Sequence, residues 1–483
     1  MPGSISSAGI GSGLKVEDII TSLLNVEKQP LSKLQTTATA MQTRLSAFGQ
    51  MQSLVSTFRD AAAKLDQASA YAVTKAGSSD AASVAASSTD KAVPGSYSVA
   101  VTALSSTQST VSTAGQFAAS TSLVGTGSIS IRLGTWAAGQ TAFTAKSGSQ
   151  DIVIPIGASE SSLGAIRDKI NAAAAGVSAT LITDSTGSRL ALQSTKTGAE
   201  NGFKVSIIDA DGTNNDNTGL SRLGFDPTAG AAQTTLTQSA ANAQATINGI
   251  AVTTAGNTLT DVVDGITFTL NKVTTAPAII TVASDTGAIK AMLDKFVEAY
   301  NGLSSFLASA TRYDPSTKSG ALLQGDALTT GLQTQLRALV GQPGSASTQY
   351  ATLSRIGLEF QKDGSLKLDT VKSSAALANL PELTLAMSNV NVSNPANNGF
   401  AKKLADWADG LLASDGRLPG KTKSIQSQIV SNQKDQARFN DKLAQIEARL
   451  RKQYTTLDAT MSKANSLSQY VSQQITTWNK SGA

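Results

Sequence analysis

The chain has 483 residues, 40% of them apolar, 15% charged and 5% aromatic, with a net charge of +5, which at roughly 150 residues per domain allows about three domains. It contains no histidine and no cysteine, which excludes Ser-His-Asp and Cys-His relays, imidazole-bearing zinc sites, disulfides and thiolate ligands. Eleven Lys and Arg against four Asp and Glu fall in residues 417–483; no aromatic platform accompanies the densest cluster, Arg449, Arg451 and Lys452, so it reads as a solvated helix face and no nucleic-acid partner is expected.

Residues 1–13, MPGSISSAGIGSG, have neither a basic n-region nor an apolar h-region. No apolar run approaches the ~18 residues that span a bilayer, so neither a cleavable signal nor membrane insertion is expected. The run Gly9-Ile10-Gly11-Ser12-Gly13 lacks the preceding strand and the Lys-Ser/Thr of a phosphate loop, and it reads as a flexible lead-in. A short amphipathic helix follows, with Ile19, Ile20, Leu23 and Leu24 on its apolar side and Pro30 breaking it. Over residues 31–65 apolar side chains fall at Leu31, Leu34, Ala38, Met41, Leu45 and Phe48, in alternating steps of three and four, the seam of a coiled coil. The seam slips at Met51 and resumes through Val55, Phe58, Ala62 and Leu65. This is a stammer, and Gly49 sits at the slip.

From about Tyr71 the helical period stops. Segments 83–86, 95–102, 127–133 and 151–156 read as strands. Ser159 and Glu160 open a helix that turns Leu163, Ile166 and Ile170 inward and ends before Gly176. Strands 177–183, 190–192 and 203–208 are expected to complete one small sheet with that helix on it. The stretch 209–217, DADGTNNDN, lacks the closing glutamate of a calcium loop and reads as a polar turn. Residues 226–243 show little periodicity and read as a crossing segment. Asn248-Gly249, between two alternating runs, signals a tight hairpin. Asn257, Thr258 and Leu259 are expected to cap a short helical turn, with strands over 265–270 and 279–283.

The helical period restarts at Ile289, Leu293, Phe296, Tyr300, Leu303 and Leu307. Asp326 is placed to cap a helix carrying Leu328, Leu332, Leu336 and Leu339. Segments 358–360 and 366–368 pair around Asp363-Gly364, with Asp369 as the N-cap of the next helix. From 425 to 478 there is no Gly or Pro, and Phe439, Leu443, Ile446, Leu450, Leu457, Ala464, Leu467, Val471 and Trp478 recur along one row. Tyr454, Met461 and Ile475 form a second. Two long helices from opposite ends of the chain, pairing antiparallel or assembling between chains, predict an α+β fold: a long terminal α-helical coiled-coil stalk or leg with inserted β-rich head domains.

The run GIGSGLKVEDIITSLLNVEKQPL at 9–31 resembles the N-terminal signature of the flagellar filament-capping family, hook-associated protein 2. Ile247-Asn248-Gly249 followed by NTLTDVVDGITFTL at 257–270 resembles the hook IN motif of flagellins and cap proteins, with a weaker echo at Ser162-Leu163 and Ile170-Asn171. FVEAYN at 296–301 and GLEFQKDGSLKLD at 357–369 resemble two further signatures of the capping family.

The resemblance implies a structural assembly factor, not an enzyme, that needs no cofactor. Such a protein is secreted, caps the distal end of the bacterial flagellar filament and promotes insertion of flagellin. The partners implied are itself, as a ring homo-oligomer of pentamer type, flagellin, a hook-filament junction protein and an export chaperone. The expected domains are a terminal helical domain flexible when free (1–42 and 447–483), a helical leg (43–76 and 286–446), a β-rich head domain with the IN motif (77–118 and 240–285) and an outer head domain (119–239). Ile19, Ile20, Leu23, Leu24, Val471 and Ile475 are the expected contacts to flagellin or neighbouring copies, with intrachain packing as the competing reading. Leu31, Leu34, Met41, Leu45 and Phe48, with Phe439, Leu443, Ile446, Leu450 and Leu457, form the expected seam. A flagellin or junction-type axial protein would share the terminal helices but not the 296–301 and 357–369 signatures. A surface adhesin is the other alternative, and an enzyme would have to draw on Asp209, Asp211 and Asp216.

Overall fold

The computed structural model describes residues 15–481; the glycine run 9–13, read as a flexible lead-in, lies outside them. Its helices are α1 (Val16–Glu27), α2 (Gln29–Leu65), α3 (Leu163–Ala172), α4 (Thr286–Thr311), α5 (Ala327–Gly341), α6 (Leu353–Ile356), α7 (Thr370–Leu377), α8 (Leu380–Ser388), α9 (Phe400–Leu412) and α10 (Arg417–Ser481). The chain divides into two compact units: both ends, Met1–Tyr71 with Gly287–Ala483, form one, and the intervening Ala72–Thr286 forms the other.

In the helical unit, Pro30 lies in the first turn of α2, where its missing N–H has no helical acceptor to lose. The residue therefore both ends α1 and starts α2. The slip in the α2 seam marks a change of neighbours. Upstream, Leu31, Leu34, Met41 and Leu45 are only half-buried; downstream, Met51, Val55, Phe58, Ala62 and Leu65 are fully buried. Phe58 explains the difference, because its ring meets Phe296 of α4 at 5.5 Å, Trp407 of α9 at 6.2 Å and Tyr300 of α4 at 6.3 Å. One face of α2 becomes the centre of a bundle. A stripe turned toward a single partner would have left these side chains partly wet.

Helix α10 runs antiparallel to α2: the Lys421 ammonium lies 5.6 Å from the Phe48 ring, and Ile425 shares a cavity wall with Met41. It has 65 residues and begins before the expected start at 425, because Pro419 and Gly420 fall in its first turn, where neither breaks the ladder. Asp326 caps α5 by accepting from Thr329 N, and Asp369 caps α7 by accepting from Lys372 N. The 357–369 signature forms the expected hairpin, with Leu358 opposite Leu368 and Phe360 opposite Leu366. Asn301 then joins the two signatures. Its Oδ1 accepts from Leu366 N at 2.7 Å and its Nδ2 donates to Leu366 O at 2.9 Å, while the Tyr300 hydroxyl and Ser304 Oγ both donate to Gly364 O.

The inserted unit has two hydrophobic cores. In the first, a five-stranded antiparallel sheet in the order Thr74–Ser78, Ala278–Ser284, Gly95–Ala103, Ala243–Ile247, Ile250–Thr254 joins a three-stranded sheet of Thr258–Val263, Ile266–Leu270 and Val84–Ser88. Val99, Val101, Ile247, Phe268 and Ile280 fill the space between them. The expected hairpin forms at Asn248 (φ 49°) and Gly249 (φ 82°), between the paired residues Ile247 and Ile250, as a two-residue turn with both φ positive requires. Asn257 does not cap a helical turn. It precedes strand Thr258–Val263, and its side-chain amide exchanges two hydrogen bonds with the Ser105 backbone.

In the second core the expected single sheet is two sheets. Gly202–Asp209 and Ile152–Ile156 pair with Gly127–Trp136, whereas Val177–Asp184 and Gly187–Ser194 join Ser109–Ser112 and Thr234–Gln238. Residues 226–243 are therefore not a plain crossing: Thr234–Gln238 is a strand of the second sheet. The cap of α3 also differs from the expectation. Ser162 Oγ accepts from Ala165 N, while Ser159 and Glu160 sit in the preceding 3-10 turn Ala158–Glu160, where Glu160 pairs with Lys169.

Candidate functional site

Helix α1 carries Val16, Ile20 and Leu24 at steps of four, and all three are buried against Ile446, Leu450 and Tyr454 of α10. An ion pair flanks this contact: Arg451 Nη1 donates to Glu17 Oε1 at 2.5 Å and Arg451 Nε to Glu447 Oε1 at 3.0 Å. Those two carboxylates, Glu17 foremost, hold the Arg451 guanidinium above its ordinary pKa. One member of the basic cluster thus belongs to the α1–α10 clasp.

The six expected contact residues separate accordingly. Ile20 and Leu24 are spent inside the chain, Ile19 is half-buried, and Leu23 is 40% exposed at the edge of the same apolar stripe of α1, with Val26 beyond it at 63%. Val471 and Ile475 lie far along α10, 46% and 52% exposed. Of the expected seam, Phe48 and Leu443 are buried, Phe439, Ile446 and Leu450 half-buried, and Leu457 exposed. Beyond Tyr454 the apolar row continues outward through Leu467, Tyr470, Val471 and Ile475, and residues 464–479 contain no charged side chain. Apolar, uncharged helix surface is the composition of an interface centre, since a solvated helix face carries Lys and Glu. Val26, Leu467 and Tyr470 were not among the expected contacts; the heptad rows that pointed to Val471 and Ile475 reach Leu467 as well.

In the inserted unit the acidic stretch 209–217 is committed to local hydrogen bonds. Asp209 is buried, and its carboxylate accepts from Ser221 N at 2.9 Å and from Ser221 Oγ. Asp211 accepts from Thr213 N, and Asp216 accepts from the Thr218 N–H and hydroxyl. Hydrogen bonds from Thr218, its hydroxyl first, hold Asp216 below the usual carboxylate range. These acids fold their own loop. Among the described residues no group of three or more His, Cys, Asp or Glu is placed to hold a metal, and no helix is long and apolar enough to cross a membrane. At the end of α3, Ile170 is buried, and the Asn171 side chain binds Ala179 at both backbone atoms, accepting from N at 2.7 Å and donating to O at 2.9 Å.

The family model described as Flagellar hook-associated protein 2 C-terminus matches residues 240–466, and the corresponding N-terminus model matches 12–108. The chain is 32% identical to the B-type flagellar hook-associated protein 2 of Pseudomonas aeruginosa over 94% of each chain, and 31% identical to the flagellar hook-associated protein 2 of Escherichia coli over 98% of each. Among solved structures, the crystallised domains of the flagellar cap protein FliD from Escherichia coli superpose with a TM-score of 0.61 at 29% identity, covering 79% of this chain and 99% of that one. The model described as Flagellin hook IN motif matches residues 142–196. That match covers the stretch read as the weaker echo, Ser162-Leu163 with Ile170-Asn171, and does not extend to Ile247-Asn248-Gly249, where the motif was expected.

Proposed function

The chain belongs to the flagellar hook-associated protein 2 family, and from that premise we propose that it is the structural cap of the distal end of the bacterial flagellar filament. In this reading it is secreted, works outside the cell without catalysis, assembles with further copies into a pentameric ring, and promotes the folding and insertion of flagellin beneath it. Flagellin, a hook-filament junction protein and an export chaperone are its proposed partners. Residues 1–42 and 447–483 are the proposed docking domain and 43–76 with 286–446 the leg. Residues 77–118 with 240–285 and 119–239 are the two head domains.

The observation that carries this reading is the row of Leu467, Tyr470, Val471 and Ile475, all exposed on a charge-free stretch of α10 in a chain matched over nearly its whole length by cap-family relatives. Exposed apolar surface on a rigid helix is driven to find a partner, and the same helix already gives its preceding row to α1 and α2. Leu23 and Val26 present a second exposed apolar side on α1. Ile19, Leu23, Val471 and Ile475 are therefore the proposed contact positions, with Ile20 and Leu24 supporting the clasp beneath them.

The test is sedimentation of the full chain beside one lacking 1–42 and 447–483, together with filament growth in a strain lacking its own cap. A discrete ring that the truncation weakens is expected. Leu23→Asp, which leaves the buried Leu24 intact, should abolish capping while the inserted unit stays folded. A Leu23→Asp chain that still supports filament growth would refute this contact, and a full chain that never forms a ring would refute the reading.

A further inference from the structure

An asparagine followed by glycine is prone to deamidate in water. The glycine nitrogen, once it has lost its proton, attacks the asparagine Cγ, and no Cβ on the glycine stands in the way. The sequence contains four such pairs, Asn201-Gly202, Asn248-Gly249, Asn301-Gly302 and Asn398-Gly399. The reaction needs a free nucleophile, a leaving amine that can take a proton, and a donor for the charge that develops on Oδ1. The fold supplies these unequally.

In three of the pairs the nucleophile is tied up. Gly202 N donates to Ala199 O, and Gly399 N donates to Asn389 O at 2.8 Å. Gly302 N lies inside α4, where it is bonded to the carbonyl four residues before it. Two of the leaving amines are held as well, Asn201 Nδ2 by Thr197 O at 2.6 Å and Asn301 Nδ2 by Leu366 O at 2.9 Å. Asn201 and Asn398 are also buried, away from the water that must carry the proton.

Asn248-Gly249 differs at each point. Both residues are exposed, in the turn between strands Ala243–Ile247 and Ile250–Thr254. Among the described residues neither Gly249 N nor Asn248 Nδ2 has a hydrogen-bond partner, so nucleophile and leaving amine are both left to water. Asn248 Oδ1, by contrast, accepts from Ser98 N at 2.8 Å. That N–H is placed to hold the negative charge Oδ1 gains when Cγ is attacked. Asn248 N donates in turn to Ser98 O at 2.8 Å. A Cβ at Gly249 would meet no atom within 4 Å, so the turn has room to bring nitrogen and carbon together.

We propose that Asn248-Gly249 is a site of spontaneous deamidation in the folded chain, with water as the only co-reactant. Water takes the Gly249 amide proton, the nitrogen bonds to Cγ, and the Cγ–Nδ2 bond breaks as Nδ2 gains a proton from water and leaves as ammonia. Water then breaks either C–N bond of the cyclic imide. Cleavage at Cγ gives aspartate; cleavage at the main-chain carbonyl gives isoaspartate, in which the chain runs through Cβ and Cγ. Aspartate keeps the Ser98 contact. Isoaspartate adds a carbon to the main chain inside a tight turn whose two residues both hold positive φ, so the Ile247–Ile250 pairing loosens and the edge strand Ile250–Thr254 frays. This lies beyond the capping role and rests on no part of it.

The test uses the full chain, aged in mildly alkaline buffer, with peptide mass mapping for the amide-to-acid change and isoaspartyl methyltransferase labelling for the rearranged product. Both should appear at Asn248 at least tenfold faster than at Asn201, Asn301 or Asn398, and faster still as pH rises, because the nucleophile is the deprotonated amide. In denaturant the four sites should react at similar rates. Asn248→Gln, whose longer side chain disfavours ring closure, should abolish the label at this peptide. Equal rates at the four sites of the folded chain, or a faster reaction at any of the other three, would overturn the proposal. So would protection of Asn248, relative to the denatured chain, as strong as theirs. Amide exchange of the aged chain should quicken across 247–254; unchanged exchange there would overturn the fraying.

Discussion

Asn301 holds Leu366 from the side, its amide group taking both backbone atoms of that residue as a neighbouring strand would. A strand edge is thereby closed by a side chain from a helix, and two segments separated by 65 residues become one structural unit. Asn301→Ala leaves the Leu366 N–H and C=O without these partners. The expected cost is about 1–3 kcal/mol, with faster amide exchange through 358–368 and none within α1. Unchanged exchange at Leu366 would show that the clasp contributes nothing.

Asn171 repeats the device on Ala179. Asn171→Ala should destabilise the inserted unit by a similar ~1–3 kcal/mol and expose the outer edge of strand Val177–Asp184 to pairing with other chains. Denaturant melts of the full chain, read with light scattering, check both parts; a stable, non-aggregating variant would contradict them.

Ile20 and Ile475 should behave oppositely. Ile20 is 1% exposed against α10, so Ile20→Ala should cost about 2–5 kcal/mol in docking α1. Ile475 is 52% exposed, and Ile475→Ala should change the stability of the isolated chain by no more than about 0.5 kcal/mol while weakening self-association. Arg451→Ala removes an ion pair whose partners are about half exposed and should leave the melt almost unchanged, because solvent screens such a pair. Melting curves of the three variants against sedimentation would separate the roles.

Asp326 gives the helical unit an acid-sensitive element. Burial alone would raise its pKa, but hydrogen bonds from Lys421, Thr329 N and the Thr329 hydroxyl, with the Lys421 charge, outweigh burial and hold it below its ordinary 3.8. A depressed carboxylate contributes stability that is present above the unfolded value and lost as pH falls through the folded one. The melting temperature should therefore drop below about pH 4. Asp326→Ala should lower stability near neutrality by about 1–2 kcal/mol through loss of the cap and flatten the acid limb; an acid limb unchanged in that variant would assign it to other carboxylates.

Whatever repeats locally was legible in the chain itself. The heptad rows of α2 and α10, the Asn248-Gly249 turn and the caps at Asp326 and Asp369 follow from spacing and side-chain chemistry within a few residues, and the ordered motifs pointed to the family. Tertiary packing decided the rest. Alternation within 177–208 shows which face of each strand is buried but not which strand lies beside it, so one expected sheet became two. The Asn257 turn became a strand entry because Ser105, distant in sequence, supplies its partners. Periodicity placed Ile20 and Leu23 on one apolar side of α1; only the arrival of α10 along one edge buried Ile20 and left Leu23 facing out, because a stripe wider than its partner must keep part of itself exposed.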